Sequence, residues 1–317
     1  MSKVLTITMN PAIDCSTIVE KLIPEQKLQC AQPKYEPGGG GINVSRGLKR
    51  LGSSSIAVFP KGGLTGESLN SLVNDEEILY KAIQIKNATR QNFIIVESIT
   101  NQQFRFGMPG TKIFPQESKL LLQAIEKLSV KTDYIVASGS LPPGVNSDFY
   151  AKISRIAKKT GNRFIADTSG EALSEVAEEG AYLIKPNLRE LSLLSKQEAL
   201  DDTLIDEAAR ALIGKGKCEV IVVSMGAQGA YLVTNTIAEQ VQAPTVKKLS
   251  TVGAGDSMVA GMVHSLTRGK SLQEMVRLGI ACGTAATMNP GTELFKIDDV
   301  DKLYKWLIQK SKLITYH

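Results

Sequence analysis

Cysteine and histidine are scarce in this 317-residue chain: Cys15, Cys30, Cys218 and Cys282 are scattered without C-x-x-C spacing, and only His264 and His317 could join them. That supports neither a zinc site nor a disulfide framework, and it leaves the cysteines as reduced packing residues. Long apolar runs are absent as well, so no stretch reads as a membrane-spanning helix. The opening segment, Met1 to Met9, is too short and too alternating for a signal peptide. The expected location is the cytoplasm, with no membrane partner. Basic residues exceed acidic ones only as 37 to 32 and form no dense tract, which gives a nucleic-acid partner little support. Internal repeats are missing. Two common phosphate signatures fail: Gly269-Lys270-Ser271 ends like a Walker loop, but His264 stands where its leading glycine belongs. Neither histidine precedes the Arg-Asp pair of a protein-kinase catalytic loop.

What is present is an alternation. With 43% hydrophobic and 22% charged residues, the chain suits a soluble globular protein with a sizeable core. Short β-branched runs (Val4 to Met9, Ser55 to Phe59, Tyr134 to Ala137, Arg163 to Ala166, Tyr182 to Ile184, Glu219 to Ser224) interleave with amphipathic stretches. The helical periods cover Ile42 to Leu51, Gln116 to Leu128, Asp148 to Lys159, Asp202 to Gly214, Gly255 to Thr267, Leu272 to Met288 and Asp298 to Ile308. That rhythm implies an α/β fold with a mainly parallel, helix-covered sheet. It breaks at 15–36 and 86–108, where strand-like pieces come without a helix. Within the second, Asn92 to Ile99 and Gln102 to Met108 flank Thr100-Asn101 as a hairpin. These two segments predict a small β-sheet lid over a main domain of 1–14, 37–85 and 109–317. An apolar lid face needs covering, so a homodimer through the lid is expected.

The chemistry concentrates in a few glycine-rich turns. Leu249 to Met258 contains Gly253-Ala254-Gly255-Asp256 at the start of a helical period. Bare N–H groups and the positive helix end there suit an anion, and Asp256 is placed to take a hydroxyl proton. A plain helix start explains the same residues. Gly38 to Arg46 is a second cluster opening a helix, with Asn43 supplying an amide, but its spacing is not the dinucleotide fingerprint. Ser224-Met225-Gly226-Ala227-Gln228-Gly229 ends a strand and offers a nucleotide cradle. In Lys185 to Glu190, Asn187 and Glu190 are spaced for a water-rich Mg²⁺ or for a capping box, and spacing alone favours the cap. Gly139 to Gly144 is a rigid turn at another strand end, and Asp14 follows the first strand, where an acid can accept two sugar hydroxyls. Lys27, Arg90 and Arg105 are the lid cations suited to a phosphate.

In this order the motifs resemble the ribokinase-like, or PfkB, sugar kinases over essentially the whole chain. The resemblance implies a three-layer α/β/α sandwich with a β-sheet lid. It makes Asp256 the base and Gly253, Ala254 and Gly255 the anion hole. Asp14, Gly38, Gly39, Asn43 and Gly139 would hold the sugar, while Lys185, Asn187, Ser224, Gly226 and Gly229 border ATP. It assigns Mg²⁺ to Asn187 and Glu190 through water, which overrides the preference for a cap alone. A K⁺ loop would be built from carbonyls near Ser250, Val252, Ala286 and Gly291. Gly40 stands where phosphosugar kinases of the family read lysine. In this, in Pro24 to Leu28, Thr89 to Asn92 and Arg105 to Gly110, the chain is similar to the minor-type 6-phosphofructokinase branch, which implies fructose 6-phosphate as substrate. Gln29, at a position where that branch can carry a basic residue, and Glu293, near the cation loop, depart from its pattern. Tagatose-6-phosphate or fructose-1-phosphate kinases are the neighbouring alternatives, and a non-catalytic sugar-phosphate sensor is the alternative of another class.

Overall fold

The computed structural model describes residues 3–197 and 202–314. In chain order the elements are β1 (Val4–Ile7), β2 (Ala12–Val19), β3 (Lys34–Gly38), α1 (Gly40–Arg50), β4 (Ser55–Lys61), α2 (Gly63–Asp75), β5 (Leu79–Gln84), β6 (Arg90–Glu97) and β7 (Gln103–Phe106). There follow α3 (Pro115–Ser129), β8 (Tyr134–Ser138), α4 (Phe149–Thr160), β9 (Arg163–Asp167), α5 (Gly170–Glu179), β10 (Ala181–Ile184), α6 (Leu188–Ser195), α7 (Asp202–Gly214) and β11 (Cys218–Ser224). The chain closes with β12 (Ala230–Val233), β13 (Ala238–Val241), α8 (Ala254–Thr267), α9 (Leu272–Thr287) and α10 (Ile297–Ile314).

Nine strands form the main sheet in the order β13-β12-β11-β10-β9-β8-β1-β4-β5. From β11 to β5 all neighbours run parallel, and β12 and β13 add an antiparallel edge. Alternate side chains of the central strands divide between two cores, as a pleat requires. Leu5, Ile7, Ile135 and Ile221 pack under α3, α4, α5 and α7 with Leu121, Tyr150, Leu173 and Ala209. Val4, Val136, Val220 and Val222 pack on the other face, against Val44 and Leu48 of α1, Val259 of α8 and Met275 of α9. This is the expected three-layer arrangement. Among the described residues no helix is long and apolar enough to cross a membrane.

The second sheet has the order β3-β2-β6-β7. It begins earlier than the break in rhythm suggests: β2 starts at Ala12, so Asp14 sits on a strand of this sheet rather than in a turn after β1. The hairpin β6–β7 is present, but it closes through Ser98 to Gln102, with Asn101 in the left-handed region at φ 55°, instead of through two residues. Cross-strand register places Tyr35, Cys15, Phe93 and Phe106 in one row across all four strands. The neighbouring row, Glu36, Asp14 and Asn92, points to the opposite face. The sheet therefore carries an aromatic row on one side and an acid–amide row on the other.

Candidate active site

The carboxyl ends of the parallel strands bring the turns together. Gly253, at φ 71°, is the N-cap of α8, and Ser257 N is bonded to Gly253 O at 2.8 Å. The amides of Gly255 and Asp256, in the first turn, have no helical carbonyl to meet. Asp256 is half-buried, and both its oxygens are engaged: Asn43 Nδ2 donates to Oδ2 at 2.9 Å and Ser138 Oγ to Oδ1 at 3.2 Å. Burial, reinforced by the charge of Asp167, pushes the Asp256 carboxyl up to about 6, against the pull of Asn43, Ser138 and the Lys185 ammonium. A carboxylate of that proton affinity can accept a hydroxyl proton near neutral pH.

Lys185 lies just past β10 with its ammonium 2.9 Å from Asp167 Oδ1. Burial works to lower its pKa, but the attraction of Asp167, with Asp256 and Glu190 behind it, outweighs burial and holds the pKa above the usual lysine value. A fixed positive charge thus stands beside the anion-ready end of α8. Asp167 belongs to none of the sequence motifs, and Ser138 enters them only as the opening residue of the turn that runs to Gly144. Each ends a strand, β9 and β8, and that position was the available signal.

Asn187 and Glu190 form a reciprocal capping box at α6: Glu190 N donates to Asn187 Oδ1 at 2.9 Å, and Asn187 N to Glu190 Oε2 at 2.8 Å. Among the described residues no cluster of three or more acidic, histidine or cysteine side chains could hold a metal. A divalent cation at this pair would have to draw its remaining ligands from water and phosphates. Ser224 bridges to Asn187, and Gly226 and Gly229 both have positive φ in the turn that follows β11. A Cβ on Gly229 would collide with the backbone at Val241 and Ala243. Ser250 Oγ donates to Gly291 O at 2.8 Å and accepts from Val252 N at 3.1 Å, while Leu249 N and Ser250 N both donate to Thr287 O, next to Ala286. This draws the carbonyl-rich 249–252 and 286–291 segments together. Glu293 is ion-paired to Lys34 at 2.7 Å.

On the acid–amide face of the second sheet Asp14 accepts from Asn92 Nδ2 at 2.9 Å. Burial raises the Asp14 carboxyl despite that bond and the nearby Arg90 and Arg46 charges. A Cβ on Gly38 would lie 2.6 Å from Asp14 Cγ, so glycine is what lets β3 reach the acid. Gly39, at φ 109°, follows that strand as the N-cap of α1, and Gly139 O accepts from Tyr150 and Thr168. Arg90 donates to the carbonyls of Met108 and Asn10, each at 3.0 Å, and its buried Nε has no partner. Arg105 Nη2 reaches Thr251 Oγ1 at 3.3 Å, tying the β6–β7 hairpin to the loop before Asp256. Lys27 stands exposed in the β2–β3 connection and, among the described residues, has no ion-pair partner. Asn43, expected at the sugar, also donates its amide nitrogen to Asp256.

Residues 3–298 match the pfkB family carbohydrate kinases. The chain is 44% identical to ATP-dependent 6-phosphofructokinase isozyme 2 of Escherichia coli, covering 97% of this chain and 99% of that protein. It is 33% identical to a tagatose-6-phosphate kinase of Staphylococcus epidermidis, covering 95% and 97%. The crystal structure of phosphofructokinase-2 from E. coli in complex with potassium superposes with a TM-score of 0.92 at 43% identity, over 97% of this chain and 99% of that one. The chain therefore belongs to the pfkB family of carbohydrate kinases.

Proposed function

We propose that the protein is an ATP-dependent 6-phosphofructokinase of glycolysis, transferring the γ-phosphoryl group of ATP to the C1 hydroxyl of fructose 6-phosphate. The observation that carries the reaction type is Asp256 at the mouth of α8, aimed by Asn43 and Ser138 beside the Lys185 ammonium. The sugar is argued from similarity, which is higher to the 6-phosphofructokinase than to the tagatose-6-phosphate kinase. As the C1 oxygen bonds to the γ-phosphorus, its proton passes to Asp256. The bond to the β,γ-bridging oxygen breaks, and its electron pair leaves with ADP. So loose a transition state asks chiefly for alignment and charge neutralisation. The amides of the Gly253-Ala254-Gly255 turn supply the anion hole.

Asp14, Gly38, Gly39, Asn43 and Gly139 hold the sugar, and Arg90, Arg105 and Lys27 hold its phosphate. Lys185, Asn187, Ser224, Gly226 and Gly229 border the nucleotide. Mg²⁺, when bound, neutralises the phosphate oxygens, and Asn187 and Glu190 would hold it through water. The carbonyls near Ser250, Val252, Ala286 and Gly291 fit K⁺, the ion in the E. coli complex. Lid closure excludes water as a competing acceptor. The enzyme acts in the cytoplasm as a homodimer paired through the aromatic lid row, where Tyr35, Phe93 and Phe106 are 49%, 38% and 43% exposed.

The test is ADP formation with fructose 6-phosphate, tagatose 6-phosphate, fructose 1-phosphate and fructose, ranked by kcat/KM. Fructose 6-phosphate is expected to lead. Preference for another phosphosugar would move the substrate and keep the chemistry, whereas no turnover at all would make the protein a sensor. Arg90→Ala should raise KM for phosphorylated sugars far more than for fructose, and equal effects would remove its phosphate contact. Phe93→Asp should halve the mass seen by light scattering; an unchanged mass would take the dimer contact off the lid.

A further inference from the structure

Arg46 closes the Gly38 to Arg46 cluster, yet none of the chemistry above uses it. It is only 1% exposed. A guanidinium so placed is costly unless its donors find acceptors. Nη2 meets Glu36 Oε1 at 2.9 Å, and Nε donates to Glu76 Oε1 at 2.7 Å. Nη1 donates to Pro37 O at 3.3 Å and to Asn43 Oδ1 at 3.2 Å. Glu36 is itself held by Thr292 Oγ1 at 2.6 Å and Lys34 at 3.5 Å.

The contact to Asn43 decides an orientation. A carboxamide has a donor end and an acceptor end of nearly the same shape, and half a turn exchanges them. A guanidinium can only donate, so Arg46 selects the Asn43 oxygen. The nitrogen is then turned toward Asp256 Oδ2, 2.9 Å away. With Arg46 gone, the carboxylate alone orients the amide, whose oxygen no longer has a fixed donor to keep the nitrogen in line with Asp256.

We propose that Arg46 is a positioning residue of the phosphoryl-transfer site, fixing the Asn43 amide with its donor toward Asp256 and so aiming the base. This rests on the reading of Asp256 as that base. A hydrogen bond to the ionised carboxylate favours that form, so its loss moves the acid limb of kcat to higher pH. The other charges around the pair come from separate elements and do not replace the amide donor. Asp256 faces Asp167 and Lys185, and Arg46 faces Glu36 and Glu76, with Asp14 and Arg50 further off.

The experiment is the pH profile of kcat and KM for Arg46→Lys, Asn43→Ala and the double variant, with Asp256→Asn alongside. Arg46→Lys keeps the charge but not the fork of donors. It should lower kcat about tenfold, move KM for fructose 6-phosphate less than roughly threefold, and shift the acid limb upward. In the Asn43→Ala background it should add nothing further. Equal losses in both backgrounds, or an unmoved acid limb, would overturn the proposal. Should Arg46→Lys not fold, Glu76→Ala acts at the rim of the cluster, where the Glu76 side chain is 27% exposed. It should shift the limb the same way by less, again only with Asn43 present, and a stationary limb would overturn the proposal equally. Full turnover by Asp256→Asn would instead sink the base assignment itself.

Discussion

At Gly40 and Gly41 an added Cβ would fall 2.6 Å from the carbonyl carbons of Ser138 and Ile7, whereas at Gly255 the nearest atom is Lys185 Nζ, 4.0 Å away. Both glycine clusters open a helix at the same edge of the sheet. In the first, the missing side chains let α1 press against the ends of β1 and β8, which carries Asn43 to Asp256. In the second, the missing side chains leave space and bare amides. One cluster is a joint and the other a mouth. Gly40, where related phosphosugar kinases read lysine, belongs to the joint: in this packing a side chain would meet the Ser138 backbone.

The largest effect should come from the mouth. Asp256→Asn is expected to lose roughly 10²- to 10⁴-fold in kcat, about 3 to 5 kcal/mol of barrier. Undiminished turnover would remove Asp256 from the chemistry. The same variant should be more stable than the parent at neutral pH. Folding raises the carboxyl from 3.8 to about 6, so the ionised form is penalised in the folded state above that range. The gain should be on the order of 1–3 kcal/mol at pH 7.5 and should fade as pH drops from about 6 toward 4. Urea unfolding at both ends of that window checks the sign.

Breaking the joint should act on stability instead. Gly41→Ala is expected to cost about 1–3 kcal/mol, read as a lower urea midpoint, because the Ile7 and Thr8 backbone and hydroxyl must move. A midpoint equal to the parent's would show that α1 can back away freely. The smallest change in stability is expected at Gly255→Ala. Its stability should hold or rise by about 0.5–1 kcal/mol, alanine being the better helix former, while kcat falls about tenfold from crowding of the mouth. Should it destabilise as much as Gly41→Ala, the distinction between the two clusters would fail.

Strand positions were readable within a residue or two because buried parallel strands are short apolar runs between turn signals, as at β8 and β11. The helices α2 and α5 have no counterpart among the sequence periods: α2 starts Gly-Leu-Thr-Gly and buries only Gly66, Leu69 and Val73, too thin a stripe to show a period, and α5 is only ten residues long. β5, at the sheet edge, has no clean alternation of burial for the same reason of partial exposure. Asn187 and Glu190 show the limit of spacing, since the cap is present and the carboxylate still lies within electrostatic reach of Lys185.

The sequence by itself determined the layered α/β class, the small second sheet, the family resemblance and the candidate base, because each is written in local period, turn chemistry or a short motif. The tertiary structure alone decided which groups surround that base. Asn43, Ser138, Asp167 and Lys185 come from four separate elements and meet Asp256 only where parallel strands end side by side. Proton affinity and amide orientation depend on distances of a few ångströms between residues far apart in the chain, and no local pattern encodes those distances.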